Sequence, residues 1–408
     1  MPKLLQISTS ANWGAIGRIA EQINVLAQNN GWDTYFAYGR CITSSTSHTI
    51  KVGSMLDEYM HYAEHRLFDN DGLASRNATK SLIRGIKRIK PDVIHLHNIH
   101  DHWLNYKMLF EYVNTLDIPI VWTFHDCWPF TGGCTHFTLL DCYRWEDDSC
   151  GNGCPIRNND ILRHLFEKTA KHYQLKRELL TKAKNLTIVP VSHWLESVVR
   201  DSFLKHGQIV TIHNGVDIDV FKPVESQAIR KKDNIGDAQY VLGVSGVWNA
   251  NKGWNDFLDL KKRLPDGVGM VLVGLKKEKL KEARDLGIIG IPQTDDVNEL
   301  AAIYSGASVF LNLSREETLG MTTIESMSCG TPVVVYDSTA VSEPVNPSTG
   351  IVVARGDVEG AAKAIQTILE KGKDHYSLAC RTHVEQNYNK DDRFKDYIKL
   401  YERLFHEN

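Results

Sequence analysis

Short apolar runs alternate with helix-periodic stretches twice over along this chain, and that pattern constrains the fold more than any other feature of the sequence. In the first half the runs fall at 3–8, 33–38, 92–97, 118–124, 186–191 and 209–213. In the second they fall at 240–246, 269–274, 287–291, 309–313, 332–336 and 350–353. Apolar runs this short, bounded by turn residues and separated by helical segments, read as strands of parallel βα units. The polar stretch 225–239 between the two sets reads as a hinge linker. A chain of 408 residues also exceeds what one core usually serves. The expected class is therefore α/β with two Rossmann-like domains. Spaced Tyr388, Phe394, Tyr397, Leu400 and Leu404 make 381–405 a terminal helix.

Bulk properties narrow the partners. A formal net charge of −3 gives no reason to expect nucleic acid. No apolar run reaches the 18 residues of a membrane span, and Met1-Pro2-Lys3 leads into Leu4-Leu5-Gln6-Ile7, a strand and not a signal peptide. The expected location is the cytoplasm, where eight cysteines serve as thiols or metal ligands sooner than as disulfides.

The chemistry concentrates in Arg315-Glu316-Glu317-Thr318-Leu319-Gly320-Met321-Thr322-Thr323-Ile324-Glu325. A strand, a glycine turn and a helix start place free N–H groups and the positive end of a helix dipole at one spot, which makes an anion site. Glu317 sits at its lip, and Glu325 lies about one helical turn inside. A carboxylate beside phosphate repels it, so both glutamates are better suited to accept hydrogen bonds from hydroxyls attached to the phosphate. That combination is a sugar nucleotide. Val244-Ser245-Gly246-Val247-Trp248-Asn249-Ala250-Asn251-Lys252-Gly253 ends another strand and presents Lys252 to a diphosphate, whose charge develops as a glycosidic bond breaks. Asn12-Trp13-Gly14-Ala15-Ile16-Gly17-Arg18 is a second glycine turn, in the first domain, that lets backbone approach a ligand.

These motifs, with Glu325-Ser326-Met327-Ser328-Cys329-Gly330-Thr331-Pro332 following, resemble the retaining glycosyltransferases of family 4. The resemblance implies the GT-B fold: two Rossmann-like domains facing a cleft, with a C-terminal helix crossing back to the first. The expected limits are 1–217 for an acceptor-side domain, 218–385 for a nucleotide-sugar domain and 386–408 for the returning helix. It further implies that Glu317 binds the donor sugar, that Glu325 binds the ribose, and that the Leu319-Gly320-Met321 turn holds the diphosphate. Trp248, Lys252, Gly253, Gly14, Gly17 and Arg18 complete the donor set. The family usually carries Arg where this chain has Val247, so diphosphate neutralisation falls on Lys252 and backbone amides, with Arg18 a substitute from the first domain. The family also implies front-face transfer, with His125 and Asp126 positioning the reacting groups and Asp126 the nearest candidate for a covalent nucleophile. No Asp-x-Asp motif is placed for a diphosphate, so no catalytic divalent metal is expected.

His95, His97, His100 and His102 crowd another strand end as lining for the acceptor or as packing, with a metal reading the weaker alternative. The acid-free series Lys80, Arg84, Lys87, Arg88 and Lys90 and the basic helix 160–184 read as solvated helix faces or, being amphipathic, as surfaces that meet an anionic membrane at its inner face. Cys134, Cys142, Cys150 and Cys154 lie in a Cys-rich insert, 127–155, and invite a structural zinc; disulfides are the alternative. His136 could replace one thiolate, and Cys127 is set outside the group. The insert resembles that of bacterial exopolysaccharide and O-antigen enzymes. The expected activity is transfer of a sugar from a nucleotide diphosphate donor, a UDP-sugar by preference, to a saccharide or lipid-linked saccharide in cell-surface polysaccharide biosynthesis. A GT-B nucleotide-sugar epimerase and a silent nucleotide-sugar-binding scaffold are the rival readings.

Overall fold

A computed structural model of the chain describes residues 1–151, 153–155, 167–294 and 296–407. The chain separates into two compact units, Met1–Ile212 with Phe394–Asn408, and His213–Arg393.

The first unit is built on β1 (Lys3–Ser8), α1 (Gly14–Asn29), β2 (Asp33–Tyr38), β3 (His48–Lys51), α2 (Met55–Phe68), α3 (Arg76–Ile89) and β4 (Val93–Leu96). It continues with α4 (Tyr106–Val113), β5 (Ile120–Phe124), α5 (Thr169–Thr181), β6 (Leu186–Pro190), α6 (His193–Asp201) and β7 (Gln208–Ile209). Its sheet runs β3-β2-β1-β4-β5-β6-β7, with every pairing parallel. Strands β4, β5 and β6 are buried along their whole length. That is why they read as apolar runs and not as alternating ones. β3 has no counterpart in the apolar pattern, because it is a polar edge strand, largely exposed.

The second unit holds α7 (Gln227–Lys232), β8 (Tyr240–Val244), α8 (Trp254–Lys261), β9 (Gly269–Val273), α9 (Lys277–Asp285), β10 (Ile289–Ile291) and α10 (Val297–Gly306). After these come β11 (Val309–Asn312), α11 (Met321–Ser328), β12 (Val333–Asp337), β13 (Gly350–Ala354), α12 (Val358–Lys371) and α13 (Asp374–Asn387). The sheet order is β10-β9-β8-β11-β12-β13, again parallel. The order turns back on itself between β8 and β11. At such switch points the carboxyl ends of the strands leave room for a ligand.

Two expectations need correction. The stretch 225–239 is no free linker: α7 lies inside it, Ile229 is buried, and Arg230 donates to the carbonyls of Gly236, Ala238 and Gly306 at 2.8, 3.1 and 2.6 Å. The terminal helix is two helices, α13 and α14 (Lys390–Glu407), broken at Tyr388 and Asn389. The break is held by Val216, whose N–H donates to Tyr388 O at 2.8 Å and whose carbonyl accepts from Lys390 N–H at 3.0 Å. These bonds tie 216 and 388–390 into the second unit, so the division falls at 212/213 and 393/394 instead of 217/218 and 385/386.

From Phe394 onward α14 belongs to the first unit. Phe394, Tyr397, Ile398, Leu400, Tyr401 and Leu404 join Leu4, Ile19, Ile23, Trp32, Val93 and Val121 in one buried cluster. Each such side chain contributes about 1.5–3 kcal/mol on burial, which fixes the helix where the sequence periodicity placed it.

Candidate functional site

In the second unit β8 and β11 lie side by side, and the loops after them carry the predicted groups. Arg315 N–H donates to Asn251 O at 2.7 Å, and the Arg315 guanidinium grips both oxygens of Asp256 at 3.0 Å, so the two loops are stitched together. Gly253 turns with φ 70°, and a Cβ there would meet Leu313 O at 2.4 Å. Only glycine allows that approach. The result brings the Lys252 ammonium into an ion pair with Glu317. Glu317 also accepts from Ser314 Oγ at 3.1 Å, while its N–H donates to Thr339 Oγ1 at 2.9 Å.

Gly320 caps α11 at φ 74° without a side-chain cap. Within the first turn of α11 Thr323 N–H donates back to Gly320 O at 3.0 Å, and the Met321 and Thr322 amides stand at the positive end of the helix dipole, the arrangement that favours an anion. Leu319 is buried behind this turn, and Met321 opens the helix half-buried. One turn further, Glu325 accepts from the Tyr304 hydroxyl at 2.9 Å. Burial raises its carboxyl to about 7, although the Tyr304 hydrogen bond opposes the shift. Trp248 is buried against Trp254 and Phe257, and its Nε1 donates to Val273 O at 2.9 Å. Its neighbour Val247 is 56% exposed, at the position where the family usually carries arginine.

In the first unit Gly14 starts α1 at φ 67° and Gly17 packs its Cα face against Ser10, while Arg18, just past the first turn, is exposed. His125 and Asp126 emerge buried from the carboxyl end of β5. Asp126 is fully engaged: one oxygen accepts from Trp128 N–H at 2.9 Å and the other from His100 Nε2 at 2.8 Å. Burial alone would raise the Asp126 carboxyl, but the His100 charge and these hydrogen bonds outweigh it and hold it below the usual carboxylate range. Burial would likewise lower His100, yet Asp126 and Asp101 lift it to about 10, so it is an imidazolium. His125 is lowered by burial to about 4 and is neutral.

Below them runs a determined chain of hydrogen bonds. Gln6 Nε2 donates to Ala20 O at 3.0 Å, which fixes its Oε1 as acceptor for His97 Nε2 at 2.6 Å. His97 Nδ1 then accepts from His125 Nε2 at 3.1 Å. In parallel, Tyr401 of α14 donates to His95 Nδ1 at 2.6 Å and His95 Nε2 to Thr123 Oγ1 at 2.8 Å. His95 and His97 are therefore interior hydrogen-bonding groups, not lining for a ligand.

Cys134, Cys142, Cys150 and Cys154 line one cavity of about 10 Å³. No disulfide is formed among the described residues. Gly132 N–H points at Cys150 Sγ at 3.2 Å, and burial pushes the Cys150 thiol up to about 11, with Cys154 and Cys142 adding to the shift. Among the described residues no three of these sulfurs lie within 4.8 Å of one another, so a tetrahedral ion held at about 2.3 Å would require the thiols to converge. His136 and Cys127 are not among the residues lining this cavity. The basic helix expected over 160–184 begins outside the described residues; α5 covers its second part. On α3, Lys80, Arg84, Lys87 and Arg88 are exposed and Leu82, Ile86 and Ile89 buried. Among the described residues no helix is long and apolar enough to cross a membrane.

Two family models match the chain: one described as Glycosyltransferase Family 4 over residues 56–220, the other as Glycosyl transferases group 1 over 238–371. Together they span most of it. The chain belongs to the family 4 glycosyltransferases. WcaC of Escherichia coli (strain K12), whose name assigns it provisionally to glycosyl transfer in colanic acid biosynthesis, is 24% identical over 98% of this chain and 100% of its own. Among solved structures, sucrose-phosphate synthase from Thermosynechococcus elongatus matches with TM-score 0.73 and 18% identity, covering 100% of both chains. Anabaena HepE in complex with UDP-glucose matches with TM-score 0.64 and 14% identity, over 98% and 99%. The fold of this family 4 glycosyltransferase is GT-B, with two parallel-sheet Rossmann-like units.

Several groups that hold this glycosyltransferase's site together had no signal in the sequence. Asp256, Ser314, Tyr304, Thr339 and Gln6 meet their partners through the fold, and Arg315, quoted with the glutamates, turns out to brace the loop.

Proposed function

We propose that this glycosyltransferase moves a sugar from a UDP-sugar to a saccharide or lipid-linked saccharide of a cell-surface polysaccharide, with retention of anomeric configuration. The convergence of Lys252, Glu317 and the uncapped start of α11 carries the reading. Lys252 and the α11 amides receive the diphosphate, Glu317 accepts hydrogen bonds from the donor sugar, and Glu325 from the ribose. As the bond from the anomeric carbon to the phosphate oxygen breaks, that oxygen takes the acceptor hydroxyl's proton. The new glycosidic bond then forms on the same face. Charge grows on the diphosphate at that moment, where a fixed ammonium and oriented amides count most.

Asp126 is a positioning group in this scheme. Its oxygens are committed to His100 and Trp128 N–H, which makes it a weak nucleophile for a covalent route. Transfer needs no divalent metal at the diphosphate. A structural zinc on Cys134, Cys142, Cys150 and Cys154 would brace the insert and, with four thiolates, leave no coordination position for water.

The polysaccharide setting is supported by WcaC's name, and the uridine base by the UDP-glucose bound to HepE. A lipid-linked acceptor is supported by α2, where Met55, Leu56, Tyr59, Met60, Tyr62, Leu67 and Phe68 are all exposed. With the basic face of α3, that surface suits peripheral contact with an anionic membrane. A thermal-shift panel of nucleotide sugars tests the donor: a ligand at a hundred times its Kd adds about 2.7 kcal/mol. Stabilisation by UDP-sugars supports the reading; stabilisation by GDP-mannose alone would move the donor base, and none at all would leave a scaffold.

A further inference from the structure

The histidine row that closes at His102 meets a second element in the fold. His65, in the last turn of α2, and Asp71, in the loop after it, approach His102 so that one ligand atom from each lies within 4.8 Å of the other two. The His65 and His102 rings are 4.8 Å apart.

The surroundings are those of a metal site. Trp128 Nε1 donates to an Asp71 oxygen at 3.3 Å and orients the carboxylate. The loop carrying Asp71 is pinned by His61, whose Nε2 accepts from Gly72 N–H at 3.1 Å and whose Nδ1 pairs with Ser75 Oγ at 2.8 Å. Three carboxylates, Asp71, Asp101 and Asp126, face the cations His100 and Arg40, and Arg40 is shared with Glu58.

We propose that His65, Asp71 and His102 bind a divalent transition-metal ion, with ligands distinct from those of the cysteine cavity. Two imidazoles and one carboxylate select zinc, cobalt or nickel over magnesium or calcium. Tetrahedral zinc holds such ligands at about 2.0–2.2 Å, so closing on an ion needs side-chain shifts on the order of 1 Å. Three protein ligands leave one position open. His102 also borders a pocket of about 400 Å³ with Arg40, Glu58, Tyr59 and Tyr62, from which water or an acceptor oxygen reaches that position.

The test is equilibrium dialysis of untagged full-length protein against zinc chloride, with bound zinc counted by elemental analysis. Wild type should hold one more zinc per chain than the His65→Gln/His102→Gln variant, and Asp71→Asn should weaken the extra ion at least tenfold. Cobalt loaded into this exchangeable site should show no thiolate-to-cobalt charge-transfer band, which separates it from the cysteines. Equal zinc content and affinity in wild type, Asp71→Asn and single His102→Gln would overturn the proposal even if the double variant fails to fold. So would an exchangeable cobalt ion carrying the thiolate band.

Discussion

His125 donates from Nε2 to Nδ1 of His97 across 3.1 Å, and Gln6 sets the direction of that bond. Since the Gln6 amide nitrogen is spent on Ala20 O and Asn24 Oδ1, only its oxygen faces His97. His97 must then carry its proton on Nε2, and His125 is left with a lone pair on Nδ1. The histidine at the end of β5 is thereby a fixed hydrogen-bond acceptor at that atom, neutral because it is buried.

Gln6→Met removes the acceptor that orients His97 and strands a buried imidazole N–H, at a cost of about 1–3 kcal/mol. Turnover should fall by roughly tenfold, the loss of one tautomer preference, while nucleotide affinity measured by calorimetry stays unchanged because Lys252, Glu317 and Glu325 lie in the other unit. Unaltered turnover with the same stability loss would reduce the relay to packing.

Glu325 makes the second unit sensitive to pH. Its folded pKa of about 7 stands above the ordinary 4.5, so the stability it contributes is complete below pH 4.5 and is lost as pH rises through 7. At about 1.4 kcal/mol for each pH unit that separates the folded from the ordinary value, the loss reaches a few kcal/mol. Denaturant unfolding at pH 5 and pH 8 should show that decline in wild type and a flatter profile in Glu325→Gln. Nucleotide affinity should run the other way, tightening above pH 7 as the carboxylate ionises and becomes the better acceptor.

Lys252→Ala should lower turnover by roughly a hundredfold, the scale for removing one preorganised charge facing the transition state. Val247→Arg in that background should restore part of it, because Val247 is exposed on the same loop. Steady-state kinetics on the two variants decide it; full activity in Lys252→Ala would pass the role to Arg18.

Purified protein should carry about one tightly held zinc on Cys134, Cys142, Cys150 and Cys154, and slow extraction with a strong chelator should lower the melting temperature of the first unit. Elemental analysis and thiol titration of denatured protein check this. Absence of zinc together with four masked thiols would establish disulfides.

The sheets were legible because buried parallel strands are apolar along their length, as at Val93–Leu96 and Ile120–Phe124. β3 was not, since an edge strand such as His48–Lys51 needs no apolar side. The helix break at Tyr388 escaped because its cause is Val216, far away in sequence. Glu317, Lys252 and His125 could be named because glycine turns and strand ends mark them locally. The burial of Trp248 was not legible, because an aromatic beside such a turn looks the same in sequence whether it faces a ligand or the core. Asp71 carried no sequence signal, as its partners come from α2, from the loop before α4 and from Trp128.

The central claim, that Glu317 holds the sugar of a nucleotide donor during transfer, is tested most directly by Glu317→Gln assayed for both nucleotide binding and sugar transfer. The account predicts that transfer is abolished while the nucleoside diphosphate binds within about threefold of wild type, because its other contacts remain. Equal loss of nucleotide affinity in Glu317→Gln and Glu325→Gln, or transfer that survives in Glu317→Gln, would contradict it.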